Sequence, residues 1–213
     1  MLSEFILSDP ADVSRRLSQL QLEETPLREA ILQGHLHRSR LTSNHPRIFF
    51  GLEMWGWSVS SLREQLRPLG WVRHDIGNFP LTIHDGLRVA IAVAAGDEGT
   101  GRPEVVPSNR SRKGKNTVDA IELNQQFDMF EEFLPHPDEN PDRYKTWVLL
   151  HHTDSLTEEI RIELSLPSQI GDDGKISAWS ERILIGTLPL DGDAIEVAPP
   201  SGPDVLIDIR RKA

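Results

Sequence analysis

Between residues 102 and 115 the chain carries Arg102, Arg110, Arg112, Lys113 and Lys115 against a single acid, Glu104, in a stretch punctuated by Pro103, Pro107 and Gly114. Guanidinium forks match phosphate oxygens and glycines expose backbone N–H groups, so this mix of residues suits an anion, a phosphate above all. The rest of the chain has the opposite sign. Its 213 residues hold 23 Lys and Arg against 33 Asp and Glu, a formal charge of −10. That charge repels polyanions at long range and argues against a general nucleic-acid binder, which leaves a local contact through the loop. A P-loop does not fit: Gly114-Lys115 is followed by Asn116, and Asn109 stands where the first glycine is required. Gly96, Gly99 and Gly101 also miss the spacing of a dinucleotide fingerprint. The bland alternative is a mobile surface loop whose charges pair with the acidic stretch at 128–142.

Eight histidines raise the question of a metal. His74-Asp75 and His84-Asp85 are similar to the His-Asp pair of metal-dependent phosphohydrolases, yet both stand in strand or turn context, and Asp85 before Gly86 has a ready explanation in turn chemistry. His151 and His152 are adjacent on an expected strand and point to opposite faces. His35 and His37, two apart near a helix, diverge as well. A metal set would draw on His74, Asp75, His84, Asp85, His151 and Asp154 brought together by the fold. No Gly-x-Ser-x-Gly elbow is present. The acidic pairs Asp97-Glu98, Asp172-Asp173 and Glu158-Glu159 are ordinary turn residues. Five tryptophans accompany one tyrosine, and Trp55, Trp57 and Trp71 fall close together. Exposed, they would form a stacking platform or a partner's anchor; buried, they are core, as Trp147 and Trp179 are expected to be.

These groups need elements to position them. Asp9 caps and Pro10 opens a helix with Val13, Leu17 and Leu20 on one face. A second helix starts at Thr25-Pro26 with Leu27, Ala30 and Ile31, and Gly34 ends or weakens it. A third covers 58–69 and stops at Gly70. The segment 46–57, PRIFFGLEMWGW, is apolar without a clean period and takes no assignment. Residues 79–84 and 87–95 read as a hairpin about Asp85-Gly86, the second strand buried on both faces. Thr117 caps an amphipathic helix over 117–134, and PHPDENPD makes 135–143 a linker. Strands follow at 144–152, 159–166, 175–185 (with a bulge near 178–180) and 205–210. The middle of the 159–166 strand alternates Ile160, Ile162 and Leu164 with Arg161, Glu163 and Ser165, so its polar face is expected to meet solvent.

The expected fold is therefore α+β: an N-terminal helical region and central β-hairpin, the 117–134 helix, and a C-terminal antiparallel sheet, with 1–134 and 144–213 either two units or one compact domain. The absence of cysteine removes disulfides and thiolate chemistry and fits a reducing, cytoplasmic setting. The N-terminus has no basic n-region, and the longest apolar run, 89–95, is too short to span a bilayer, so no membrane is expected. No cofactor is implied. Two functions from different classes stand: a non-catalytic adaptor binding a protein partner or larger complex, with the basic loop available to nucleic-acid phosphates, and a metal-dependent phosphoester hydrolase using the His/Asp set. A stabilising subunit of a complex would instead show an exposed apolar patch around Phe49, Phe50 and Trp55.

Overall fold

The computed structural model describes residues 5–130 and 144–190, with side chains through 125 in the first stretch. Seven strands form one mixed sheet in the order β1-β7-β6-β5-β4-β3-β2. The elements are β1 (Phe5–Leu7), α1 (Pro10–Gln19), α2 (Glu24–Ser39), α3 (Arg47–Leu66), β2 (Val72–Ile76), β3 (Phe79–His84), β4 (Val89–Ala95), α4 (Lys115–Phe130), β5 (Lys145–Asp154), β6 (Glu159–Ile170) and β7 (Ile176–Pro189). Neighbours are antiparallel except β4 with β5 and β1 with β7. The β4–β5 pairing puts the strands on either side of 135–143 in the same sheet; that segment and the strand expected at 205–210 lie outside the described residues. Among the described residues no helix is long and apolar enough to cross a membrane.

One face of the sheet is covered by the first three helices. Leu17 of α1, Leu27 and Ile31 of α2, and Leu62 and Leu66 of α3 pack with Ile91, Trp147, Leu149, Ile162, Leu164 and Ile183. The expected cap is in place: Asp9 accepts from the Ala11 N–H at 2.9 Å, with Pro10 opening α1. Helix α2 runs straight through Gly34, because that glycine is where α3 crosses. A Cβ there would lie 2.1 Å from Ser58 Oγ and 2.5 Å from the Met54 carbonyl oxygen. Helix α3 begins eleven residues before the expected start, taking in the unassigned apolar segment, and ends in a 3-10 turn at 67–69 with Gly70 left-handed at φ +85°.

Both sheet edges are protected. Strand β1 covers only Glu181, Arg182 and Ile183 of β7. Beyond it the Ile185 and Thr187 carbonyls accept from the Arg28 guanidinium at 2.9 and 2.6 Å, and Arg16 grips Glu181 with both forks. At the far edge β2 is short and carries Arg73, His74 and Asp75, charges that discourage a further strand.

The opposite face is shaped by a bend in the β6–β7 hairpin. Register breaks at Leu166/Pro167 and Pro167/Gln169 mark the bend. Beyond it Ile170, Ile176 and Trp179 pack with Ala94, Val148, Leu150 and Ile121 of α4. β5–β6 pairing ends at Val148↔Ser165, so Thr146 loses its β6 partner. Asn124 of α4 replaces it, donating to the Thr146 carbonyl and accepting from the Thr146 N–H, both at 2.8 Å.

Two outcomes follow. Gly34→Ala gains roughly 1 kcal/mol of helix propensity but forces apart two helices in backbone contact; overpacking of about 1–3 kcal/mol wins, and chemical denaturation should show a net loss. His151, on β5, is buried with neither ring nitrogen hydrogen-bonded among the described residues. Burial first, then the Arg38 charge, lowers its pKa to about 4. Above pH 6.5 it is neutral folded and unfolded alike. As pH falls from 6.5 towards 4 the unfolded chain takes up a proton that the folded one refuses, so stability should drop by about 3 kcal/mol. His151→Leu should flatten that part of the stability–pH curve; an unchanged slope would assign it to other groups.

Candidate functional site

The site is assembled by the segment between β4 and α4, residues 96–114, which is laid across the β5–β6–β7 face. Arg161 of β6 donates to the Thr100 carbonyl at 2.8 Å and to the Glu98 carbonyl at 3.1 Å. Arg182 of β7 donates to the Val105 carbonyl at 2.9 Å and the Arg102 carbonyl at 3.0 Å. Between them Glu163 accepts from the Gly101 N–H at 2.7 Å, from Ser165 Oγ at 2.8 Å and from Arg182 at 2.7 and 3.2 Å. Side chains Glu163 and Arg182 are both 0% exposed. Gly101 sits at φ +74°, and a Cβ on it would lie 2.8 Å from Arg161 Cβ, so a side chain would be refused twice, by backbone conformation and by space.

The far half of the segment is held by the folded-over hairpin. Trp179 Nε1 donates to the Pro107 carbonyl at 2.8 Å, Asn109 Oδ1 accepts from the Ile176 N–H at 2.7 Å, and the Lys113 N–H donates to the Gly174 carbonyl at 2.8 Å. The expected solvent-facing side of β6 is thereby overturned: Arg161, Glu163 and Ser165 are buried because loop carbonyls and N–H groups take the place of water. The loop lies over the strands as a cover, and two of its charges have acids near them among the described residues. Arg102 lies 3.6 Å from Asp154, and Lys115 lies 2.6 Å from Asp119. The Arg161 hydrogen bond leads the causes that lower the Asp154 pKa to about 2.

Where this loop meets α4 there is a cavity of about 230 Å³ lined by Arg112, Lys113, Gly114 and Thr117, by Ala92, Val93, Ala94 and Val148, and by Trp55, Asn78, Phe79 and Pro80. Two cations and the N-terminal end of α4, with its partial positive charge, border it, and among the described residues no carboxylate does. Desolvation lowers the Lys113 pKa to about 8. The arrangement can take a small anion with an apolar body.

Of the five basic residues, Arg112 and Lys113 are brought together at this cavity. Arg110 is exposed nearby, its N–H donating to the Ala95 carbonyl at 2.8 Å. Lys115 stands at the start of α4, which begins two residues before the expected cap Thr117, and Arg102 lies at the β5–β6 end with Asp154. His74, Asp75, His84 and Asp85 are not brought together. Asp75 is engaged by Arg63 and Arg73. His84 packs edge-on to Trp71 in the helix-side core, and its Nδ1 accepts from the Leu87 N–H. His74 lies against Tyr144, whose hydroxyl donates to Asp85 at 2.5 Å; Tyr144 belongs to the cluster on the other side of the sheet. Among the described residues no three His, Cys, Asp or Glu gather as a metal site requires.

Trp55, Asn78, Phe79 and Thr117 were not singled out as lining residues by sequence, nor Glu163 and Arg182 as anchors. The available signal was charge within an otherwise apolar alternation at Glu163, which marks a buried partner as readily as a wet face. Trp71, Trp147 and Trp179 are core, whereas Trp55 is 37% exposed and Trp57 is 42% exposed.

Removing one member of the central ion pair strands the other. Arg182→Leu should cost about 3–5 kcal/mol in urea denaturation, and limited proteolysis should begin to cut within 98–107. Glu163→Leu combined with Arg182→Leu should cost less than Arg182→Leu alone. Equal losses would mean that the carbonyl contacts, not the charge pairing, hold the loop.

No protein-family model, curated protein or solved structure matches the chain.

Proposed function

We propose that this is a non-catalytic interaction protein that docks a partner protein on the face running from the exposed half of α3 to the basic end of the loop. The observation that carries the reading is a single stripe on α3. Ile48, Leu52, Trp55, Val59, Leu62 and Leu66 recur at steps of four and three, one helix face. Val59, Leu62 and Leu66 are buried against the core, but Ile48 is 73% exposed, Leu52 50% and Trp55 37%. Phe49 is 38% exposed on the same half of the helix, whereas Phe50, named with it in the expected patch, is half-buried.

Water-exposed apolar side chains grouped in this way are a common mark of a protein contact, and tryptophan is a frequent energetic anchor in one. Trp55 also lines the cavity with Arg112 and Lys113. An apolar stripe therefore continues into a basic patch, on a chain of net charge −10. A partner with an apolar helix or strand and an acidic flank would complement both, and the cations would speed its approach. A cytoplasmic setting belongs to the same proposal, supported by the cysteine-free sequence.

The test is capture of partners by the tagged full chain from its native extract, with and without nuclease. A stoichiometric protein partner should be retained after nuclease treatment. Ile48→Glu and Leu52→Glu, at exposed sites that leave the core intact, should each weaken it roughly 30-fold, about 2 kcal/mol. Replacing Arg110, Arg112, Lys113 and Lys115 by Ala should flatten the salt dependence. Capture that ignores the α3 substitutions would sink the reading, and capture lost to nuclease would transfer the loop to nucleic-acid phosphates.

A further inference from the structure

Apart from any docked partner, we infer that Lys113 is a reactive amine, placed to form an imine with a small carbonyl compound that carries an anionic group, a ligand class for which the cavity between α3, β3–β4 and α4 is built. The geometry comes first. Lys113 is fixed through its backbone, its N–H bonded to the Gly174 carbonyl at 2.8 Å. It lines a cavity of about 230 Å³, smaller than the ~300–1,000 Å³ of drug-sized pockets and suited to a compact metabolite. Among the described residues no carboxylate pairs with it, and none lines the cavity, in contrast to Lys115, which lies 2.6 Å from Asp119.

The neighbours match the proposed ligand part by part. Trp55, Phe79, Pro80 and Val148 offer apolar walls for a planar or hydrocarbon body. Arg112 offers a guanidinium for a carboxylate or phosphate, and the start of α4 adds partial positive charge. Desolvation of a lysine is also what keeps an amine unprotonated near neutral pH. With its pKa lowered to about 8, Lys113 is neutral in about one molecule in ten at pH 7, whereas an unperturbed lysine is neutral in about three in ten thousand.

The chemistry balances within the pair. The amine lone pair adds to the carbonyl carbon and forms the C–N bond. The carbonyl π electrons move to oxygen, protons pass from nitrogen to that oxygen, and the C–O bond breaks with release of water. No oxidant or further reactant is required.

The test uses pyridoxal 5′-phosphate as the probe aldehyde, pyridoxal as its phosphate-free control, and borohydride to fix the imine for peptide mapping on the full chain. Lys113 should be labelled at least tenfold faster than Lys115 or Lys175, with a rate that rises through a midpoint near pH 8. The phosphate-bearing probe should react several-fold faster than pyridoxal, and Arg112→Ala should erase that advantage while leaving pyridoxal unaffected. Lys113→Arg should abolish labelling at this position, and Ile48→Glu, which does not line the cavity, should weaken partner capture yet leave the labelling of Lys113 unchanged, so the two proposals can fail separately. Labelling spread evenly over the lysines would overturn the reactive amine. Equal rates for the two probes would overturn the anionic ligand class.

Discussion

The ion pair between Glu163 and Arg182 is the constraint on which the rest of this molecule leans. Two opposite charges with no solvent access are tolerable only when every lone pair and N–H around them is satisfied. Here the satisfaction comes from the backbone of the β4–α4 loop, through the Gly101 N–H and the Arg102 and Val105 carbonyls. Loop and ion pair are therefore one unit: the loop is ordered because the charges need it, and the charges are buried because the loop covers them. The position of Arg112 and Lys113, and so the cavity, follows from where that unit lets the chain go.

The two faces of the sheet solve different problems. The helical face is close-packed hydrocarbon, with one crossing so tight that only glycine fits at position 34. The loop face is a polar mosaic in which side chains stand in for missing strand neighbours. Asn124 completes Thr146 where β6 bends away, as Arg28 of α2, from the helical side, completes β7 where β1 runs out. Polar burial of this kind holds parts in one relative position better than it adds net stability, which suits a surface that must hold a cavity at the junction of three elements.

Much of this was legible in the residues and some was not, for identifiable reasons. The Asp9-Pro10 start of α1, the doubly buried run of β4 and the alternation of β6 are local patterns, and they read correctly. The first half of α3 resisted because its apolar stripe continues past the sheet and two glycines interrupt it, so no single buried face imposes a period. Strands β1 and β2 are short edge pieces whose identity depends on what they pair with. The polar face of β6 misled because the groups that bury Arg161 and Glu163 are main-chain carbonyls and N–H groups at 98–105, which have no signature in a string of side chains. The basic loop stood out by composition, but which of its cations converge was decided by the anchors at Trp179, Ile176 and Gly174. The His/Asp pairs failed to converge because alternate strand positions send His74 and His84 to opposite faces.

The parallel pairing of β1 with β7 has a consequence for how the chain comes together. Phe5 aligns with Glu181, so β1 must wait for β7 before it has a neighbour. The loop anchors Arg161 and Arg182 likewise follow the segment that they clamp by some sixty to eighty positions. Contacts of such long range carry a large closure entropy and slow the search for the native topology. During synthesis α1, α2 and α3 can pair among themselves on the ribosome, but the sheet's outer margin and its polar cover close only after β7 has emerged. A chain stopped short of that strand would leave Glu163 without its buried counter-charge, Arg182. Quality control would therefore see truncated chains as unfolded, not as smaller working versions of the protein.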